Sequence, residues 1–267
     1  MYRDEYSRWC KAELVDFDLK RELTEIAGDE DAIRERFAAS LSFGTAGLRG
    51  TLGVGTNRMN IWVVRQATQG IADWVKTKGG SQTVAISYDS RLKGWNFARD
   101  AASVLAANGI QVRLYDELMP VPALSFATRY YNCNAGIMIT ASHNPAKYNG
   151  YKAYGADGCQ VTDEDAAVVY AAIQKTDVLG GAKFMSFAEG VEKGLIRFVE
   201  DACKEAFYAA VESRQVRPGI CKTAGLKLVY SPLNGTGLVP VTRVLKDIGI
   251  EDVTIVKEQE YPNGYFT

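Results

Sequence analysis

The chain has 267 residues, 47% hydrophobic and 24% charged, with 31 Lys+Arg against 32 Asp+Glu, a formal net charge of -1 and 10% aromatic residues. That suits one large or two ordinary domains and excludes a disordered or low-complexity polypeptide. A near-neutral charge excludes a basic surface for nucleic acid or an anionic membrane, so any anion must be captured locally.

Five cysteines, Cys10, Cys133, Cys159, Cys203 and Cys221, show no metal-ligand spacing, and the charged start Met1-Tyr2-Arg3-Asp4-Glu5 has no apolar signal core. Free thiols and a cytoplasmic protein are expected. Residues 2 to 26 carry Trp9, Leu14, Leu19, Leu23 and Ile26 among charges, predicting helical segments on the outside of a domain. The carboxylates of Asp29, Glu30 and Asp31 invite a metal reading, but before Ala32-Ile33-Arg34 they fit a helix start better.

Phe43 to Gly55, FGTAGLRGTLGVG, is a Gly-rich stretch without a Walker ending. Its glycines would let backbone amides approach a ligand, and Arg49 offers a fork suited to phosphate oxygens. The alternative is a flexible connection with a solvated arginine. Helical spacing from Asn60, a strand at Thr83–Ser87, a helix from about Asn96 to Asn108 and a strand at Ile110–Leu114 predict a βαβ unit with parallel strands. Asp89-Ser90-Arg91 follows the first of these strands, as either a ligand contact or a turn and helix cap.

After a helix opened by Pro120-Val121-Pro122, Gly136 to Ile139 predicts a buried strand ending at Thr140-Ala141-Ser142-His143-Asn144-Pro145. A hydroxyl nucleophile, Ser142, thus sits at a strand end, where open α/β sheets hold ligands. Asn144-Pro145 and Asn149-Gly150 are read as turns that fold the chain back and return Lys152 toward Ser142. The competing reading is an ordinary surface loop. Thr162 caps a further helix, residues 180 to 194 read as a linker, and residues 195 to 213 as one long helix. A strand at Leu226–Tyr230, the loop Ser231-Pro232-Leu233-Asn234-Gly235-Thr236-Gly237, a helix ending at Gly249 and a strand at Val253–Val256 predict a second βαβ unit. Two strands make a thin sheet for an independent domain.

Three segments, Phe43 to Gly50, Thr140 to Pro145 with Tyr148 to Lys152, and Ser231 to Gly237, resemble the α-D-phosphohexomutases, nearest to the bacterial phosphoglucomutase and phosphopentomutase branch. The resemblance implies an α/β fold of mixed, mainly parallel sheets sandwiched by helices. Residues 1–193 would form the first domain with the phosphoserine loop, and residues 194–267 an incomplete second domain.

It implies that Ser142 carries the catalytic phosphoryl group, with His143 its neighbour, Arg49 and Lys152 flanking the transferred phosphate, and Lys152 the better group for proton transfer. It also implies Mg²⁺, to which the phosphate on Ser142 would contribute a ligand. Glucose 1,6-bisphosphate would be the activator and sugar phosphates the partners, with no nucleic acid and no membrane. The family's Asp-Gly-Asp-x-Asp-Arg magnesium loop does not occur in these residues. The chain is therefore expected to be the amino-terminal portion of an isomerase-class phosphotransferase with little or no mutase activity alone. Phosphomannomutase and phosphopentomutase are the alternative sugars. A non-catalytic sugar-phosphate-binding module, or a fragment self-associating through the edge of its second sheet, are the alternative functions. A serine hydrolase is disfavoured because no Gly-x-Ser-x-Gly elbow and no second histidine are present.

Overall fold

In the computed structural model, residues 1–45 and 47–267 are described. Three short helices, α1 (Tyr2–Lys11), α2 (Phe17–Glu25) and α3 (Glu30–Phe37), open the chain, and β1 (Leu48–Thr51) follows. The helices turn Trp9, Leu19, Leu23, Ile33 and Phe37 inward. Asp29 caps α3 by accepting from the Ala32 amide, so this carboxylate serves a helix start.

Gly53 to Gly55, at the end of the Gly-rich stretch, are tied to their surroundings rather than forming a free loop. Val54 donates its amide to Glu22 Oε2 at 2.7 Å, and Asn60 Nδ2 donates to the carbonyls of Gly53 and Gly55 at 2.9 Å each. A Cβ on Gly55 would stand 2.5 Å from the Arg36 carbonyl oxygen. These two glycines allow close packing against the opening helices, which corrects the expectation that they expose amides to a ligand.

Asn60 then caps α4 (Ile61–Thr77) through the Trp62 and Val63 amides. Next come β2 (Thr83–Tyr88), α5 (Gly94–Ala107), β3 (Gln111–Leu114), α6 (Val121–Tyr130), β4 (Ala135–Ile139), β5 (Tyr148–Gly155), α7 (Asp163–Lys175), α8 (Phe187–Glu192) and β6 (Ile196–Phe198). The six strands form one sheet in the order β1-β5-β4-β2-β3-β6. From β4 through β2 and β3 to β6 the pairs are parallel, whereas β5 is antiparallel to both β4 and β1.

Alternation along the strands divides the core between two faces. Val84, Ile86, Ile137, Ile139 and Tyr151 join residues of α4, α5 and α7 on one side. On the other, Ala85, Met138 and Tyr154 meet Leu124 and Ala127 of α6 and Phe207 of α9 (Asp201–Glu212). Helices thus cover both faces, as expected for a mainly parallel sheet.

Three expectations change. Asn149-Gly150 is not a turn but part of β5, and the reversal is made by residues 142–147. Residues 180–194 contain α8 and pack on α5, with Gly190 accommodating Ile196 and Ala106, so they are more than a linker. The helix expected over residues 195–213 begins only at Asp201, because Ile196–Phe198 pairs with β3. The first sheet therefore draws on residues beyond 193.

After α10 (Ile220–Thr223), β7 (Lys227–Tyr230), α11 (Leu238–Asp247) and β8 (Asp252–Ile255) form the second βαβ unit, with β7 and β8 parallel. α11 rests on α9, where the Arg243 guanidinium meets both oxygens of Glu205. Among the described residues no helix is long and apolar enough to cross a membrane.

Candidate active site

β4 is buried along its whole length and ends at Ile139, three residues before Ser142. Ser142 adopts a left-handed backbone with φ 55°. This conformation is uncommon for a side-chain-bearing residue and costs on the order of 1 kcal/mol unless the surroundings hold it. One such hold is local: the Ser142 amide donates to Thr140 Oγ1 at 2.9 Å. The serine hydroxyl and His143 are exposed, with Oγ 3.3 Å from His143 Nδ1.

The stronger hold comes from Arg91, for which the sequence left a ligand contact and a turn or helix cap both open. Arg91 is 4% exposed and lies under the serine loop. Its Nη2 donates to the carbonyls of Ser142 at 2.7 Å and Asn144 at 2.6 Å, and its Nη1 to those of Tyr148 at 2.9 Å and Pro145 at 3.1 Å. Asp89 stands 3.6 Å from Nε and accepts from Thr140 Oγ1. Burial pushes the Asp89 carboxyl above its ordinary value, against the opposing pull of the Thr140 hydroxyl, the Arg91 amide and the Arg91 and Lys152 charges.

Arg49 lies on β1 directly opposite Gly150, and Lys152 lies two residues further along β5, opposite Met138 of β4. Opposed and alternate residues share a sheet face, so Arg49, Lys152 and Met138 project to the same side. Arg49 reaches the serine loop, with Nη1 3.3 Å from Asn144 Oδ1. Lys152 is half-buried near Asp89. A cleft of about 890 Å³ opens above the loop, lined on one side by Ser142, His143, Asn144, Thr140, Met138 and Arg91. Pro232, Leu233 and Gly235–Gly237 line the other side, as do Tyr265 and Phe266, the latter with its ring against the Arg91 guanidinium. Ser142 and His143 thus face this cleft, while Arg49 and Lys152 approach from the strands beneath the loop and are not part of its lining.

Residues 40–179, just over half of the chain, match the family model described as phosphoglucomutase/phosphomannomutase, alpha/beta/alpha domain I. The chain belongs to the phosphoglucomutase/phosphomannomutase family. A phosphoglucomutase of Staphylococcus saprophyticus is 36% identical over 230 residues, 86% of this chain and 41% of that protein. The chain therefore spans about two fifths of that curated relative. A crystal structure of a putative phosphomannomutase from Thermus thermophilus superposes with a TM-score of 0.71 at 25% identity, covering 85% of this chain and 48% of the other. A phosphoglucomutase/phosphomannomutase family protein from Burkholderia thailandensis, at 23% identity, TM-score 0.63 and coverage of 84% and 45%, shares the fold.

The family implies Mg²⁺, but the residues present do not by themselves fit such a site. Among the described residues no cluster of three or more His, Cys, Asp or Glu side chains could hold a metal ion. Asp89 is the one carboxylate among the described residues that line the cleft, and it is already engaged by Thr140 and the Arg91 backbone amide. Magnesium requires several oxygens in near-octahedral order, which these residues do not supply.

Proposed function

We propose that this chain supplies the phosphoserine-bearing part of a phosphoglucomutase-type site, with Ser142 as the phosphoryl carrier between the 1- and 6-positions of a sugar phosphate. The single observation that carries this reading is the Ser142 hydroxyl, exposed at the tip of a strand-end loop whose backbone is otherwise tied down. Ser142 Oγ attacks phosphorus of a sugar bisphosphate. An Oγ–P bond forms, the bond from phosphorus to one sugar oxygen breaks, the serine proton departs and the released sugar oxygen gains a proton. Lys152 is assigned the proton movement, Arg49 charge neutralisation at the phosphoryl oxygens and His143 a place beside the serine. Such transfers depend chiefly on positioning and charge neutralisation, which suits a held loop with cations beneath it.

Glucose phosphates are the first choice of substrate from the phosphoglucomutase relatives, with glucose 1,6-bisphosphate as donor. Mannose and pentose phosphates are the alternatives. Because a metal site is not assembled by these residues, the chain is expected to accept a phosphoryl group without sustained turnover. The test is intact mass spectrometry after incubation with glucose 1,6-bisphosphate. The parent should gain one phosphoryl group and Ser142→Ala none, and equal labelling of both would overturn the assignment. The non-catalytic reading predicts calorimetric binding of glucose 6-phosphate with no covalent product.

A further inference from the structure

Arg91 is the most heavily hydrogen-bonded side chain of the cleft, yet its role in the turn before α5 does not explain its partners. Its four acceptors belong to Ser142, Asn144, Pro145 and Tyr148, so one guanidinium spans both limbs of the reversal. Apart from this, the reversal is held by two short turns, Asn144 N to the Ala141 carbonyl at 3.1 Å and Tyr148 N to the Pro145 carbonyl at 3.0 Å. Its further ties are the Ser142 amide to Thr140 Oγ1 at one end, the Leu52 amide to the Lys147 carbonyl at the other, and Arg49 Nη1 to Asn144 Oδ1 at 3.3 Å between them.

The direction of these bonds has a chemical consequence. No peptide of the described chain is cis, and in a trans peptide the N–H lies opposite the C=O. With the Ser142 and Pro145 carbonyls turned onto Arg91, the N–H groups of His143 and Ala146 point away from the guanidinium. Among the described residues neither N–H has a protein acceptor. The His143 amide immediately follows the serine, and a phosphoryl group on Oγ brings strong acceptor oxygens. An amide fixed in that direction needs no reorganisation when the charge arrives.

We propose that Arg91 is the positioning residue of the serine loop, holding the Ser142–His143 peptide so that its N–H is presented to an anion carried on the serine. Arg91 touches neither the nucleophile nor the reacting atoms. It acts through backbone carbonyls, and the Asp89 carboxyl lies 3.6 Å from its Nε while accepting from Thr140 Oγ1 at the start of the loop. This rests on the reading of Ser142 as the phosphoryl carrier.

The decisive variant is Arg91→Lys, which keeps the positive charge but replaces the planar fork by a single ammonium that cannot serve four carbonyls at once. The Asp89→Asn/Arg91→Met pair, which removes both charges together, guards against a misfolded single variant. Two readouts separate positioning from general stability. Amide hydrogen exchange at Ser142, Asn144 and Tyr148 should rise about tenfold or more in either variant, while exchange in β2, β4 and α5 stays at the parent rate. The rate of phosphoryl labelling by glucose 1,6-bisphosphate should fall by at least about tenfold, and methylguanidinium should partly restore it in Arg91→Ala without accelerating the parent.

Parent-like exchange in the loop, or parent-like labelling from a loosened loop, overturns the proposal. If the parent itself takes no label, the phosphoserine reading fails, and loop exchange alone then decides whether Arg91 positions the backbone.

Discussion

Asn149→Ala should destabilise the protein far more than loss of one polar surface side chain would, because Asn149 is fully buried and uses both ends of its amide. Its Nδ2 donates to the Leu92 carbonyl at 3.0 Å, tying β5 to the turn that contains Arg91, and its Oδ1 accepts from the Gly150 amide at 2.7 Å. Alanine leaves an acceptor and a donor inside the fold without partners. A buried polar group stranded in this way costs roughly 1–3 kcal/mol, and partial hydration of the less buried Leu92 carbonyl brings the sum to about 2–4 kcal/mol. For a chain of this size about 2–4 °C of melting temperature accompanies each kcal/mol, so the transition should fall by about 5–15 °C.

Thermal unfolding followed by circular dichroism measures this directly, with Asn144→Ala as the control. Asn144 is only half-buried, and its side chain meets Arg49 at 3.3 Å, so that change should stay within about 0.5 kcal/mol. A shift in Asn149→Ala no larger than in Asn144→Ala would refute the reasoning and return Asn149-Gly150 to the status of an ordinary turn.

Glu22→Ala removes the acceptor for Arg36 Nε and for the Val54 amide, and should cost about 1.5–3 kcal/mol with a marked rise in Val54 amide exchange; unchanged exchange at Val54 would contradict the packing role given to Gly53 and Gly55. Cys10 and Cys159 are exposed, whereas burial pushes the Cys133 thiol up to about 12 and that of Cys203 up to about 11. At pH 8 a thiol reagent should therefore modify Cys10 and Cys159 first and reach Cys133 and Cys203 only in denaturant, as peptide mapping would show. The Asp89 carboxyl is raised by burial, so the folded state binds its proton more tightly than the unfolded chain does. Its contribution is then fullest below the unfolded carboxylate value and declines as pH rises through the raised folded value. Denaturant midpoints should show Asp89→Asn gaining relative to the parent as pH increases over that range; a gain in the opposite direction would reverse the assigned sign.

The elements from Asn60 to Leu114 were legible because their patterns are local: helical apolar spacing and short apolar strands. Ser142 was legible for the same reason, since an apolar run followed by turn residues marks a strand end. Arg91 was not, because its carbonyl partners lie 51 to 57 residues away and no spacing rule links them. Asn149-Gly150 carried a genuine turn signal that tertiary structure overrode by burying the Asn amide. Ile196–Phe198 escaped notice because a three-residue edge strand with two exposed members shows no periodicity. Gly53 and Gly55 resembled a ligand loop in composition, but their reason is the close approach of Glu22 and Arg36.

The central claim about this chain is that the phosphoryl group resides on one of its oxygens. Tandem mass spectrometry of peptides from the bisphosphate-treated protein locates it. A single modified residue, Ser142, is expected, on the peptide that joins β4 to β5. A phosphoryl group on Thr140, Ser90 or Ser231 instead, with Ser142 unmodified, would contradict it.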